Sequence, residues 1–236
     1  MQKDILGKAL LDFFNGNYSE DIFTETSISE EDVLPLPYLF REFKDMPALE
    51  QKALQLAKGK VLDVGCGAGI HSLYLQEKGF EVAAIDTSAG AVKVCSLRGI
   101  KDVRNCSLLD LKNEKFDTIL LLMNGTGIFG NLKATPKYLT HLKSLLNADG
   151  QILIDSSDLL YMFDEDEDGG FWVTSEKEYY GELTFNMRYK GKTSEEFEWL
   201  YTDFSTLHRL CKENELQCKL VQKGDHFDYL AKINLK

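Results

Sequence analysis

Lys60-Val-Leu-Asp-Val-Gly-Cys-Gly-Ala-Gly-Ile-His71 decides how this chain is read. Val61, Leu62 and Val64 form a short apolar run, the pattern of a strand buried on both faces, and Asp63 sits within it. The run leads straight into Gly65-x-Gly67-x-Gly69, after which Ile70, Leu73, Tyr74 and Leu75 recur as an amphipathic helix would require. Glycines at a strand-to-helix turn adopt φ values that other residues resist and let the backbone approach a ligand closely. The free N–H groups of the new helix then face that ligand. A ligand-binding turn is expected here.

The spacing narrows the ligand. A dinucleotide fingerprint needs glycines at the first, third and sixth positions; counted from Gly65, the sixth position is Ile70. The third glycine comes one position early, and the acid precedes the first glycine by two. Asp63-x-Gly65-x-Gly67-x-Gly69 resembles motif I of the class I S-adenosylmethionine (SAM)-dependent methyltransferases. The resemblance implies that Gly65, Cys66, Gly67 and Gly69 lie under the methionine part of SAM and that Asp63 helps to orient it.

Later acids extend the resemblance. Glu81-Val-Ala-Ala-Ile-Asp86 is a short apolar strand ending in a carboxylate, 23 residues after Asp63. An acid at the tip of the second strand of a doubly wound sheet grips ribose hydroxyls, because a carboxylate accepts hydrogen bonds and donates none. The resemblance implies that Asp86 binds the SAM ribose, with Thr87-Ser88 capping the next helix. Val103–Asp110 reads as a third strand ending in an acid, and the resemblance assigns Leu109 and Asp110 to the adenine. Phe116–Asn124 and Gln151–Asp155 read as the fourth and fifth strands.

The implied fold is α/β: a doubly wound, seven-stranded, mainly parallel Rossmann-like sheet whose last strand is antiparallel. Residues 1–58 are expected to form a helical N-terminal cap, with apolar spacing in Asp4–Phe14, a break at Pro35-Leu-Pro37 and a second helix over 46–58. Residues 59–236 are expected to form the SAM-binding domain. Within it, the aromatic runs Glu176–Lys190 and Glu196–Tyr201 flank Gly191 and suggest an inserted hairpin, a lid over about 165–201 after strand five. Thr202–Glu215 reads as a helix; 217–222 and 227–233 read as closing strands.

Composition bounds the rest. A 236-residue chain can bury a large core. No run of about 18 apolar residues is present to span a bilayer. The start lacks a signal-peptide pattern, and five cysteines without Cys-x-x-Cys spacing fit a reducing cytoplasm. A net charge of -11 disfavours a phosphate backbone as partner, so no DNA is expected. The acidic run Asp164–Asp168 is read as a solvated loop, and no metal is expected. The assembly is expected to be a monomer or homodimer.

Methyl transfer is an in-line displacement that asks the protein chiefly for alignment and exclusion of water. A base is needed only where the acceptor must lose a proton. Catalytic candidates are therefore few: His71, beside the glycine loop, as cofactor contact, proton acceptor or packing residue; Asn124, at the exit of strand four, which is also a candidate cofactor contact; and Arg41, in the cluster Tyr38, Phe40, Arg41 and Phe43, either pairing with a carboxylate or solvated. No Asn/Asp-Pro-Pro-Tyr/Phe motif follows strand four, the acidic pair of the arginine methyltransferases is missing from Asn124–Lys133, and no Pro-Cys dipeptide occurs. The expected substrate is a small-molecule acceptor. The alternatives are a non-catalytic module binding SAM or S-adenosylhomocysteine (SAH), a protein or RNA methyltransferase, and a nucleotide-dependent oxidoreductase on the same sheet.

Overall fold

In the computed structural model, which describes residues 4–163 and 177–236, the chain opens with α1 (Ile5–Phe14), β1 (Ile22–Thr26), β2 (Asp32–Leu34) and α2 (Ala48–Leu56). Strands and helices then follow: β3 (Val61–Val64), α3 (Ile70–Glu77), β4 (Val82–Asp86), α4 (Ala89–Leu97), β5 (Asp102–Asn105), β6 (Phe116–Leu121), α5 (Thr135–Leu145) and β7 (Leu146–Ser157). β8 (Glu182–Tyr189), β9 (Lys192–Thr193) and β10 (Phe197–Leu200) follow, and α6 (Phe204–Glu213), β11 (Leu216–Lys223) and β12 (Asp228–Leu235) close the chain.

Seven strands form one sheet in the order β11-β12-β7-β6-β3-β4-β5. β3 through β7 pair in parallel, whereas β12 runs antiparallel to β7 and to β11. Period-two alternation sends side chains to two cores. Leu62, Val64, Ile119, Leu121, Ile152 and Ile154 pack with α5 and α6. Val61, Leu120 and Leu153 pack on the other face with α2 and with Ile70 and Leu75 of α3. Strand order reverses between β3 and β6, the position at which open α/β sheets bind ligands beyond the carboxyl ends of their strands.

A second, antiparallel sheet has the order β10-β8-β1-β2, with β9 paired to β8. The inserted hairpin is therefore present, but the N-terminal extension is more than helical: β1 and β2 complete the hairpin's sheet. Phe23 pairs with Arg188 and Thr24 with Met187. The aromatic and β-branched residues of Ile22-Phe-Thr-Glu-Thr26 favour such a pleated surface, and their hydrogen-bonding partner comes from the far end of the chain. The third strand also ends earlier than expected, at Asn105, because Ser107 accepts the Leu109 N–H and starts a 3-10 turn over Leu108–Asp110. The acidic run Asp164–Asp168 and the lid as far as residue 176 lie outside the described residues.

Candidate active site

The glycine loop needs its glycines. Gly65, Gly67 and Gly69 have φ of 71°, 53° and 80°, in the left-handed region. Their surroundings differ. A Cβ on Gly69 would fall 2.3 Å from Ile100 Cδ1, whereas one on Gly67 would meet nothing within 4 Å. Gly67 thus presents bare backbone to open space, as a ligand cradle would. The loop is pinned to β4 by the Gly65 and Cys66 N–H groups, which donate to Ile85 O at 2.9 and 3.1 Å.

Two acids flank the loop. Asp63 is buried and accepts from Ser72 Oγ at 2.6 Å, which ties β3 to α3. Asp86, at the tip of β4, accepts the Gly67 N–H at 2.9 Å on Oδ2 and the Ser88 N–H at 2.8 Å on Oδ1. Each oxygen keeps acceptor capacity for a further donor. Burial raises the Asp86 pKa against the pull of these two N–H groups, and the charges of Asp4 and Asp63 add to the rise. Ser88 caps α4 by accepting the Ala91 N–H, while Thr87 is exposed and makes no cap. In the turn Leu108–Asp110, the Asp110 carboxylate accepts the Ser107 N–H at 3.3 Å, and the Leu109 N–H is directed at Ser107 Oγ.

Beyond β6 the backbone turns sharply, with Met123 and Asn124 at φ 66° and 60°. Asp155, near the end of β7, holds this turn by accepting the Met123 and Gly125 N–H groups, each at 3.0 Å. Asn124 Oδ1 accepts from Ser157 Oγ at 3.2 Å. Burial pushes the Asp155 pKa up to about 6 despite the Gly125 N–H, and the charge of Glu50 adds to the rise. Thr126 Oγ1 donates to Leu200 O at 2.9 Å and sits 2.6 Å from Ser156 Oγ, while the Thr202 N–H donates to Ser156. These bonds seat β10 over the exit of β6. The Trp199 indole covers Gly127 so closely that a Cβ there would lie 1.9 Å from Trp199 Cε2.

Glu50 carries no signal in the sequence. Its carboxylate lies between Arg41 and His71: Arg41 Nη2 donates to Oε2 and Oε1 at 2.5 Å, and His71 Nε2 stands 2.8 Å from Oε2. Arg41, Glu50 and His71 are 9%, 4% and 5% exposed, so the alternative of a solvated Arg41 is excluded. Burial pushes the Glu50 pKa up, but the His71 and Arg41 contacts outweigh it and hold the group below the ordinary carboxylate value. The guanidinium stacks on the Tyr38 ring at 3.7 Å, and its Nε is buried without a hydrogen-bond partner among the described residues.

The sheet therefore brings Asp63, Gly65, Cys66, Gly67, Gly69, His71 and Asp86 to one edge of the switch point, and Asn124 and Asp155 to the other. Open backbone at Gly67, a β4-tip carboxylate with free acceptor capacity and a buried arginine donor together suit an adenosyl amino acid. The fold and this glycine loop define the class I methyltransferase architecture.

Comparison with known proteins agrees. The residue pattern of the methyltransferase domain family matches residues 38–217. A SAM-dependent methyltransferase from Bacteroides fragilis, solved in complex with S-adenosyl-L-homocysteine, is 46% identical with a TM-score of 0.91; the match covers 99% of this chain and 95% of that one. Ubiquinone biosynthesis O-methyltransferase from Xanthomonas euvesicatoria pv. vesicatoria (strain 85-10) is 40% identical over 74 residues, 28% of this chain and 31% of that protein. Ribosomal RNA small subunit methyltransferase C from Alcanivorax borkumensis (strain ATCC 700651 / DSM 11573 / NCIMB 13689 / SK2) is 53% identical over 34 residues, 14% of this chain and 10% of that protein. The chain thus spans less than a third of the length of the curated relatives it matches. It belongs to the methyltransferase domain family. Among the described residues, no helix is long and apolar enough to cross a membrane.

Proposed function

We propose that this chain transfers a methyl group from SAM to a small-molecule acceptor by in-line displacement. The observation that carries this reading is the Asp86 carboxylate, fixed at the tip of β4 by the Gly67 and Ser88 N–H groups with acceptor capacity to spare for ribose hydroxyls. When bound, SAM supplies a methyl on a positively charged sulfur, a good leaving group.

The chain's own residues bind, orient and shield. Gly65, Cys66, Gly67 and Gly69 receive the amino-acid end, with Asp63 and His71 orienting it. Thr87 borders the ribose, and Leu109 and Asp110 would receive the adenine. Asn124 and the loop held by Asp155 face the methyl. Trp199 and the cap that shares its sheet keep water from the reacting centre. On this reading the protein works in the cytoplasm, as a monomer or homodimer.

Calorimetric titration with SAM, SAH and NAD tests the cofactor, and SAH release across hydroxyl, amine and carbon acceptors tests turnover. Micromolar binding of SAM and SAH, with turnover of at least one acceptor, is expected. Binding of NAD alone would overturn the reading. SAM binding with no turnover across the panel would favour a non-catalytic module.

A further inference from the structure

Arg41, Glu50 and His71 come from three separate segments: the exit of the 3-10 turn Leu36–Phe40, helix α2 and the first turn of α3. All three are at least nine-tenths buried. Desolvating such a cluster offsets much or all of what its attractions return, so stability alone explains it poorly. Its geometry has a direction. Glu50 Oε2 serves Arg41 and His71 together, which fixes the guanidinium and the imidazole relative to each other. The Arg41 Nε–H is left without an acceptor among the described residues, and the contact through His71 Nε2 leaves the second ring nitrogen, Nδ1, for another partner. His71 is the second residue of α3, two positions after Gly69, at the helix terminus that follows the glycine loop.

We propose that Glu50 is a positioning residue for the amino-acid end of the cofactor. It holds Arg41 and His71 beside the glycine loop, where they receive the carboxylate of that end. The inference rests on the cofactor reading given above. Arg41 supplies the donor that needs an acceptor, and a carboxylate is the acceptor a guanidinium matches best. Glu50 acts through these two side chains and does not itself touch the ligand, so its loss should be felt only by ligands that carry the amino-acid tail.

The test compares SAH with 5′-methylthioadenosine, which keeps the adenosine and the sulfur but lacks the tail. In calorimetry, Glu50→Gln is expected to bind SAH about tenfold more weakly than wild type, the scale of a hydrogen bond to a charged group. Its affinity for 5′-methylthioadenosine should stay within about twofold. Since Glu50→Gln leaves Arg41 as an unpaired buried charge, an Arg41→Met/Glu50→Met double variant provides a charge-neutral second case with the same expected selectivity. Equal loss for both ligands, or no loss for either, would overturn the inference. Failure of the wild type to bind either ligand would instead overturn the cofactor reading, and the inference with it, before any variant is made.

Discussion

The Gly90 N–H donates to the Asp4 carboxylate at 2.8 Å, so the residue that caps α1 also binds the first turn of α4. Asp4 accepts from Gly7 N and Ser88 Oγ as well, each at 2.8 Å. The helices can meet this way because Gly7 and Gly90 face each other; a Cβ on Gly7 would lie 2.6 Å from Gly90 Cα. Asp4→Ala removes a helix cap and two further acceptor contacts, and should cost about 1–2 kcal/mol. Chemical denaturation measures this, and an unchanged midpoint would show that the cap carries no load.

Asp86→Ala should weaken SAH binding by roughly 1.5–3 kcal/mol, the scale of hydrogen bonds to a charged group. Burial raises the Asp86 pKa, and ribose recognition uses the ionised form. Wild-type affinity should therefore begin to fall at a higher pH, on acidification, than an ordinary carboxylate would dictate. Calorimetry across a pH series checks both points; undiminished affinity in the variant would remove Asp86 from the ribose site.

Asp155 gives a dependence of the opposite kind, on folding. Its pKa is raised from 3.8 to about 6 in the fold. A raised pKa stabilises the fold below the unfolded value and loses that contribution as pH rises through the folded value. Relative to Asp155→Asn, the wild type should lose up to about 3 kcal/mol of stability between pH 4 and pH 7. Parallel thermal-unfolding series for the two proteins measure the difference, and a constant gap would contradict it.

Gly127→Ala should push Trp199 off the β6 exit, since the added methyl would lie 1.9 Å from the ring. Overpacking of this kind costs about 1–3 kcal/mol. Trp199 fluorescence should report the displaced indole, and a wild-type spectrum with wild-type stability would show that the ring yields at no cost.

Much of the fold was legible because it is local. The β3–glycine loop–α3 unit, the Ser88 cap and the apolar runs around Leu120 and Leu153 all express themselves within a few residues. β1 and β2 were not legible as strands, because five-residue and three-residue runs are too short to show a period and their partner lies far along the chain. Glu50 hid for a related reason. On the helix 48–56 it looks like any exposed acid, and only the packing of α2 against α3 brings it to His71. Arg41 carried a signal, its aromatic neighbours, but its burial depends on Glu50, which the sequence does not place.

The second sheet has a consequence for how the chain is made. Phe23 pairs with Arg188, 165 positions later. At about 5–20 residues per second, the ribosome delivers that partner roughly 8–33 s after β1 appears. Throughout this interval the β1–β2 ribbon has bare edges and too few strands to be stable by itself. The acidic stretch Glu30-Glu31-Asp32, exposed at the start of β2, puts like charges on what becomes the outer edge of the sheet. Nascent chains carrying the same ribbon therefore repel one another while they wait.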